Sequence, residues 1–377
     1  LTITQTHDDL VNWFTKAIHQ NMLRSASNRR ARVKDVAALA DVSATTVSRY
    51  LNAGLVLPPS TAARIDAAVR QLDYRPNLLA RSLSLGRSNT IGLVVPEIAN
   101  PFFAHLAAAV EEAADAEGMG LLLCATLNRL DRELDYLERL RSHQVDGLIF
   151  LTNHHDDGEL AQRIGALRSI VLVDEDVAGT SAPKLFCDNI IGGRLAGEHL
   201  LAAGHRRIGF VGGPEGLMST DERLRGLRDA VRTVPGAEIA WISAGPHTPA
   251  QGRTAATAWL AHPDQPTAIF LGSGVLLDGF LEAIHQHGLA VPDDLSLVAF
   301  DDIGPLHLFD PPITAIRQPI AEFGRRSVAL LCAQLRGEPA GPPVRLPVEL
   351  VERRSVAPPA SRRKVPAAGP KRKANHA

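Results

Sequence analysis

From Thr90 to Phe300 the chain alternates short apolar runs with helical segments, and that alternation leaves few folds open. Thr90-Ile-Gly-Leu-Val-Val95, Gly120-Leu-Leu-Leu-Cys124 and Gly147-Leu-Ile-Phe-Leu151 are apolar throughout, as are the runs at 170–173, 208–211, 268–271 and 295–300. Runs this short and this uniformly apolar suit strands buried on both faces of a parallel sheet. Helical spacing occupies the intervals at 100–117, 130–143, 192–203, 224–234 and 277–287. Repetition of this βα kind predicts parallel sheets covered by helices on both faces. In such sheets ligands sit beyond the carboxyl ends of the strands, so strand-end residues become the candidates for a site.

The first ninety residues follow a different rule. In Val33-Lys-Asp-Val-Ala-Ala-Leu-Ala40, Val36, Ala37 and Ala40 repeat at helical spacing, Asp41-Val42 interrupts, and Ser43 stands as an N-cap. From there Val47 and Leu51 lie on one helical face, with Ala44, Thr45, Ser48 and Arg49 on another. A third helix is expected from Thr61 through Leu72, ending at Tyr74-Arg75-Pro76 because proline disfavours helix in the residue before it. Small and polar side chains with one arginine on a short helix suit the major groove of DNA. Residues 29–89 hold ten Lys or Arg against four Asp, whereas the whole chain carries a formal charge of −1. Positive charge gathered in one small segment marks a surface for phosphates.

At 377 residues, more than one domain is expected. No run approaches eighteen apolar residues, so no membrane helix is expected, and 1–30 does not read as a secretory signal; the localisation that follows is cytoplasmic. Cys124, Cys187 and Cys332, odd in number and set among apolar residues, fit reduced buried thiols. Residues 1–30 form an extension. Leu10, Trp13, Phe14 and Ile18 would make a short amphipathic helix there, unless translation starts at Met22. The tail at 358–377, with six basic residues and no acidic one from Ser361 onward, is expected to be disordered. Gly212-Gly-Pro-Glu-Gly216 lacks both a dinucleotide fingerprint and a P-loop lysine, and the adjacent His154-His-Asp-Asp157 does not read as a metal site. Neither a zinc-hydrolase nor a nucleophile-elbow motif is present, so no enzyme, no cofactor and no metal are expected.

VKDVAALADVSATTVSRYLN, LDYRPNLLARSL and TIGLVVPEIANPFF are followed in order by VDGLIF, EHLLAAGHRRIGFVGGP, ERLRGLRDA, VPDDLSLVAFDD and PPITAIRQP. Over 32–356 the chain thereby resembles the LacI/GalR family of bacterial transcription regulators. The resemblance implies a small all-α helix-turn-helix headpiece at 31–75 and a hinge helix and linker at 76–89. It also implies an α/β core at 90–357 made of two doubly wound parallel-sheet subdomains, like a periplasmic binding protein. One subdomain would take about 90–188 and 319–345, the other about 189–316 and 346–357. The function implied is that of a repressor that binds a palindromic operator in double-stranded DNA as a homodimer or tetramer, controlled by a small-molecule effector such as a sugar or related metabolite. The alternatives are an effector-binding protein of the same fold with weakened operator specificity, or a regulator with no effector.

Carried onto this sequence, the resemblance places Ala44, Thr45 and Arg49 against base edges and Arg32, Ser43, Thr46 and Asn52 against phosphates. Asn77, Ala80, Arg81 and Leu83 would form the minor-groove hinge, with Leu83 as a wedge. The effector would be met by Asn100, Phe102, Arg223, His247, Ser273 and Asp301, while Phe103 staples helix to sheet. Several positions depart from the family pattern. Arg32 and Pro58-Pro59 stand where capping hydroxyls are usual, Gly272-Ser-Gly274 replaces an Asn-Asp, Glu175 replaces an Arg, and His247 replaces a stacking aromatic. These argue against an ordinary hexose and for an effector that differs in charge or size, or for a site with no ligand.

Overall fold

The structure is a computed structural model and describes residues 31–75, 87–142 and 144–359, without the side chains of Asn52 and Ala53. The extension at 1–30, the hinge residues Asn77, Ala80, Arg81 and Leu83, and the tail from 360 onward lie outside the described residues. Contacts divide the chain into two units that meet at Ser88 and Asn89.

The first unit holds three helices: α1 (Val33–Leu39), α2 (Ala44–Ala53) and α3 (Pro59–Gln71). Val36, Ala37, Ala40, Val47, Ile65, Ala68 and Tyr74 form its core. The turn after α1 places Asp41 at φ 50°, a left-handed conformation that a short polar side chain tolerates. Gly54 closes α2 at φ 62°. The third helix starts two residues earlier than the spacing of its apolar residues suggests. Pro59 stands at its first position, where the missing N–H costs nothing and the fixed φ is already helical. Ala44 is half-buried against the core and only partly presents the outer face assigned to it.

The second unit contains two six-stranded sheets. The first uses β1 (Thr90–Val95), β2 (Gly120–Ala125), β3 (Gly147–Phe150), β4 (Ile170–Val173), β5 (Lys184–Cys187) and β11 (Val344–Leu346), in the order β11-β5-β4-β3-β1-β2. The second uses β6 (Arg207–Gly212), β7 (Glu238–Ala244), β8 (Ala268–Leu271), β9 (Ser296–Phe300), β10 (Thr314–Arg317) and β12 (Glu349–Val351), in the order β12-β10-β9-β8-β6-β7. All pairings are parallel except β12 against β10, which is antiparallel. The chain passes from one sheet to the other after β5, after β10 and after β11.

On the first sheet, α4 (Pro101–Ala116) and α11 (Ile320–Leu335) pack together over one face, and α5 (Leu130–Arg141) and α6 (Glu159–Gly165) cover the other. On the second, α7 (Asn189–Ala202) and α8 (Met218–Val231) share a face, opposite α9 (Pro249–Ala261) and α10 (Gly274–Gln286). Cys124 and Cys187 are buried free thiols, whereas Cys332 is only partly buried. Ser296 and His205 both hydrogen-bond the Ala357 carbonyl, so the described chain stays docked to the second sheet through that residue.

The crossing of α7 and α8 depends on glycine. A Cβ on Gly193 would stand 2.0 Å from the Arg223 carbonyl oxygen, and one on Gly226 would stand 2.0 Å from the Ile190 carbonyl oxygen. Backbone meets backbone here, so no side chain can rotate to make room. Gly226→Ala is therefore expected to force the helices apart and destabilise the core by about 1–3 kcal/mol, the usual cost of overpacking. Urea denaturation of the two proteins checks it.

Candidate functional site

Two surfaces carry the candidate residues. In the headpiece, Ser43 Oγ accepts from the Thr46 N–H at 3.0 Å and shares a hydrogen bond with Thr46 Oγ1 at 2.8 Å, capping α2. Val47 anchors the inner face, and Tyr50 donates to the Asp66 carboxylate at 3.2 Å, tying α2 to α3. Thr45 and Arg49 are left exposed on the outer face. Arg32, also exposed, donates its backbone N–H to Asp35 at 2.8 Å. A guanidinium accepts nothing, so Arg32 cannot cap α1 with its side chain, which stays available to an anion. The Asn52 side chain lies outside the described residues.

The second surface is a cleft between the two sheets of the core, lined by the carboxyl ends of their strands. Asn100 and Phe102 follow β1, Asn153 follows β3, and Asp174 and Glu175 follow β4; Ser273 follows β8 and Asp301 follows β9. Asn100, Phe102, Arg223, His247, Ser273 and Asp301 thus line one space, joined there by Asn153, Asp174, Glu175, Ser219 and Gln318. That space is about 30 Å³, room for a single water. A ligand of sugar size therefore requires the halves to part. They are held by Glu175 accepting from Ser219, by Arg345 donating to Glu222 at 2.6 and 2.7 Å, and by His155 meeting the Gly216 carbonyl at 3.3 Å.

Arg223 is 4% exposed and fixed on three sides. Its guanidinium lies 3.6 Å from the centre of the Phe300 ring, Nε donates to Asn189 Oδ1 at 2.8 Å, and NH1 donates to the Gly272 carbonyl at 2.6 Å. It does not stand at a strand end, as sequence spacing suggests. The helix begins at Met218 instead of Leu224, which puts Arg223 inside it. Apolar periodicity misses that first turn because its buried residues, Ser219 and Thr220, are polar and sit beside the cleft.

Asp174 and Asp301 hold φ of 72° and 75°, so each strand ends in a left-handed turn at a carboxylate. Asp301 accepts from Gln318 Nε2 at 2.6 Å and from the Gly274 N–H at 3.4 Å. Burial, reinforced by Asp301 and opposed by Arg223, pushes the Asp174 carboxyl up to about 6. Burial and the neighbouring Asp174 push Glu175 up to about 8, against the hydrogen bonds from Ser219. His247, bonded to Ser273 Oγ at 3.1 Å, is pushed down to about 4 by burial and by Arg223, so its ring is neutral. Phe103 packs edge-on to Phe102 at 5.2 Å, and both rings belong to the core under the cleft. His154 bonds Glu133 and the Asn128 carbonyl, and no group of three metal-ligating side chains occurs among the described residues.

A capped helix-turn-helix in one unit, and in the other two parallel sheets with a cleft between them, define a class: a DNA-binding transcriptional repressor with a periplasmic-binding-protein-like domain, not an enzyme. Residues 32–77 match the bacterial regulatory proteins of the lacI family, and 198–356 match the periplasmic binding protein-like domain. The HTH-type transcriptional repressor PurR of Proteus mirabilis is 35% identical over 335 residues, which span 87% of this chain and 97% of that one. Among solved structures, the Lac repressor dimer bound to operator and the anti-inducer ONPF superposes with a TM-score of 0.78 at 26% identity, covering 87% of this chain and 100% of that one. The transcriptional regulator CelR in complex with cellobiose gives a TM-score of 0.64 at 30% identity, covering 86% and 100%. The chain belongs to the lacI family of bacterial regulatory proteins. No helix among the described residues is long and apolar enough to cross a membrane.

The raised Glu175 carboxyl has a signed consequence. Between its ordinary value of 4.5 and about 8, the folded state holds a proton that the unfolded chain has released. This group's contribution therefore lowers stability as pH rises through that window. Glu175→Gln keeps an acceptor for Ser219 and removes the titration. Relative to wild type, the variant should gain stability steadily from pH 5 to pH 8, measured by urea denaturation at each pH.

Proposed function

We propose that this repressor binds a palindromic operator as a homodimer and is controlled by a sugar or sugar-like effector held in the cleft. The observation that carries the DNA half is the outer face of α2, where Thr45 and Arg49 stand exposed on a helix whose N-terminus Ser43 caps. Laid in the major groove, Arg49 makes the two-pronged contact to guanine, Thr45 meets a neighbouring base, and Ala44 offers its methyl to thymine. Arg32, Ser43 and Thr46 anchor phosphates around that contact. Asn77, Ala80, Arg81 and Leu83, assigned to the minor groove by the family resemblance, lie outside the described residues.

The effector half of the reading is supported by the cleft's carboxylates and its fixed guanidinium, which suit hydroxyl groups, and by the cellobiose bound to CelR. The dimer is supported by the apolar edges of both sheets: Leu122 and Leu123 on β2 and Ile242 on β7 are exposed at 37%, 41% and 43%. An exposed apolar edge strand invites a partner, and a second copy brings a second headpiece to the other half-site.

Arg49→Ala is expected to weaken a selected operator by about 1–3 kcal/mol and to relax preference at one base per half-site, while affinity for random DNA changes little. A titration in which both DNAs weaken equally would make Arg49 a phosphate contact. Leu123→Asp is expected to shift the protein from dimer to monomer in sedimentation velocity and to weaken operator binding with it. A variant that remains dimeric places the interface elsewhere.

A further inference from the structure

The cleft is much richer in acceptors than in donors. Asp174, Glu175 and Asp301 bring three carboxyl groups to one small space, and Arg223 is the only Lys or Arg among the residues lining it. Two of its three nitrogens, Nε and NH1, are bonded to Asn189 and Gly272, and its face lies on Phe300. His247 is neutral and hydrogen-bonded to Ser273. Two buried acceptors, Asp174 Oδ1 and Gln318 Oε1, have no hydrogen-bond partner among the described residues. Gln318 is only 6% exposed, and its Nε2 is held by Asp301, which leaves the carbonyl oxygen facing the same space. Buried acceptors without donors are costly, and a ligand that supplies donors removes that cost.

We infer that the effector is a cation: a small polar molecule bearing a protonated amine or amidine, seated between Asp174 and Asp301 with Glu175 beside it. The inference rests on the reading of this cleft as the effector site. A carboxylate or phosphate ligand would meet two or three carboxyl groups inside a space of low dielectric, where like charges repel strongly. A neutral polyol satisfies the unpaired acceptors, but Arg223 alone cannot balance both Asp174 and Asp301, so part of the buried negative charge stays uncompensated. A cation does both. Glu175 is poised to join it, since a positive neighbour favours the ionised carboxylate and the displaced proton leaves to solvent. Glu175 also joins the two halves of the core, accepting from the Ser219 N–H and hydroxyl at the start of α8.

Two matched sets of probes test this on the full chain at pH 6.5: glucosamine, glucose and gluconate; and 4-aminobutanol, 1,4-butanediol and 4-hydroxybutyrate. Each is scored by the melting temperature of the protein and by its affinity for a selected operator. The amine should outrank the alcohol in each set by at least roughly tenfold in apparent affinity, about 1.4 kcal/mol, and the carboxylate should rank last. In Asp174→Asn the ranking should flatten in both readouts. Glu175→Gln, as a second variant, should flatten it partly. If the alcohol or the carboxylate ranks first, the effector site stands and the cationic ligand is overturned. If no amine produces any response, the inference is overturned too. A response that survives in Asp174→Asn with the amine still ahead removes Asp174 from the site and overturns the arrangement proposed.

Discussion

Much of the core is arranged around the Arg223 guanidinium. A fully formed charge at 4% exposure is tolerable only if every direction around it is filled. Phe300 supplies a ring face from β9, Gly272 a carbonyl from the end of β8, and Asn189 an amide oxygen from the start of α7. These partners reach the arginine only because α7 and α8 cross with backbone against backbone at Gly193 and Gly226. The neighbouring ionisable groups respond to it in turn: His247 is kept neutral, and the Asp174 carboxyl is held lower than burial and Asp301 would place it. One side chain thus ties helix packing, strand ends and cleft electrostatics together.

The two halves of the core repeat one solution. In each sheet the strand order reverses between the first strand and its later neighbours, at β1 beside β3 and at β6 beside β8, and the cleft residues gather past those carboxyl ends. Three passages of the chain between the sheets make the halves separable yet tethered. Opening would break few contacts at the mouth: the Glu175–Ser219 bonds, the Arg345–Glu222 pair and the His155–Gly216 contact. All are polar, and the Arg345–Glu222 and His155–Gly216 contacts are exposed to water while the Glu175–Ser219 bonds are buried, so the balance between closed and open states is adjustable by a small ligand.

Sequence reading succeeded where apolar period and burial coincide. The strands at 90–95, 147–150 and 296–300 are buried almost throughout, and their apolar runs mark them. It erred where burial falls on polar residues, as in the first turn of α8, because Ser219 and Thr220 carry no hydrophobic signal. Pro59 hid the start of α3 for a related reason, since proline signals a break in most contexts and a beginning only at the first helical position. Of the residues lining the cleft, Asn100, Phe102, Arg223, His247, Ser273 and Asp301 were legible from family motifs. Glu175 was visible only as a departure, and Asp174, Gln318 and Ser219 not at all, because their roles arise from the juxtaposition of two sheets distant in sequence. A strand-final Asp after Ile170–Val173 was the one local sign that could have flagged Asp174.

Asp174 and Asp301 share a left-handed backbone, and that narrows what mutation can do at either position. Apart from glycine, only aspartate and asparagine enter that region readily. The accessible substitutions are therefore a carboxylate, its uncharged amide, or no side chain, and bulkier or longer groups meet a conformational barrier before their chemistry is tried. Divergence of ligand preference among descendants of this gene would then proceed in whole units of charge, by abrupt exchange of one metabolite class for another. Gradual reshaping of the pocket at these two sites carries a backbone cost of about 1–2 kcal/mol at each step.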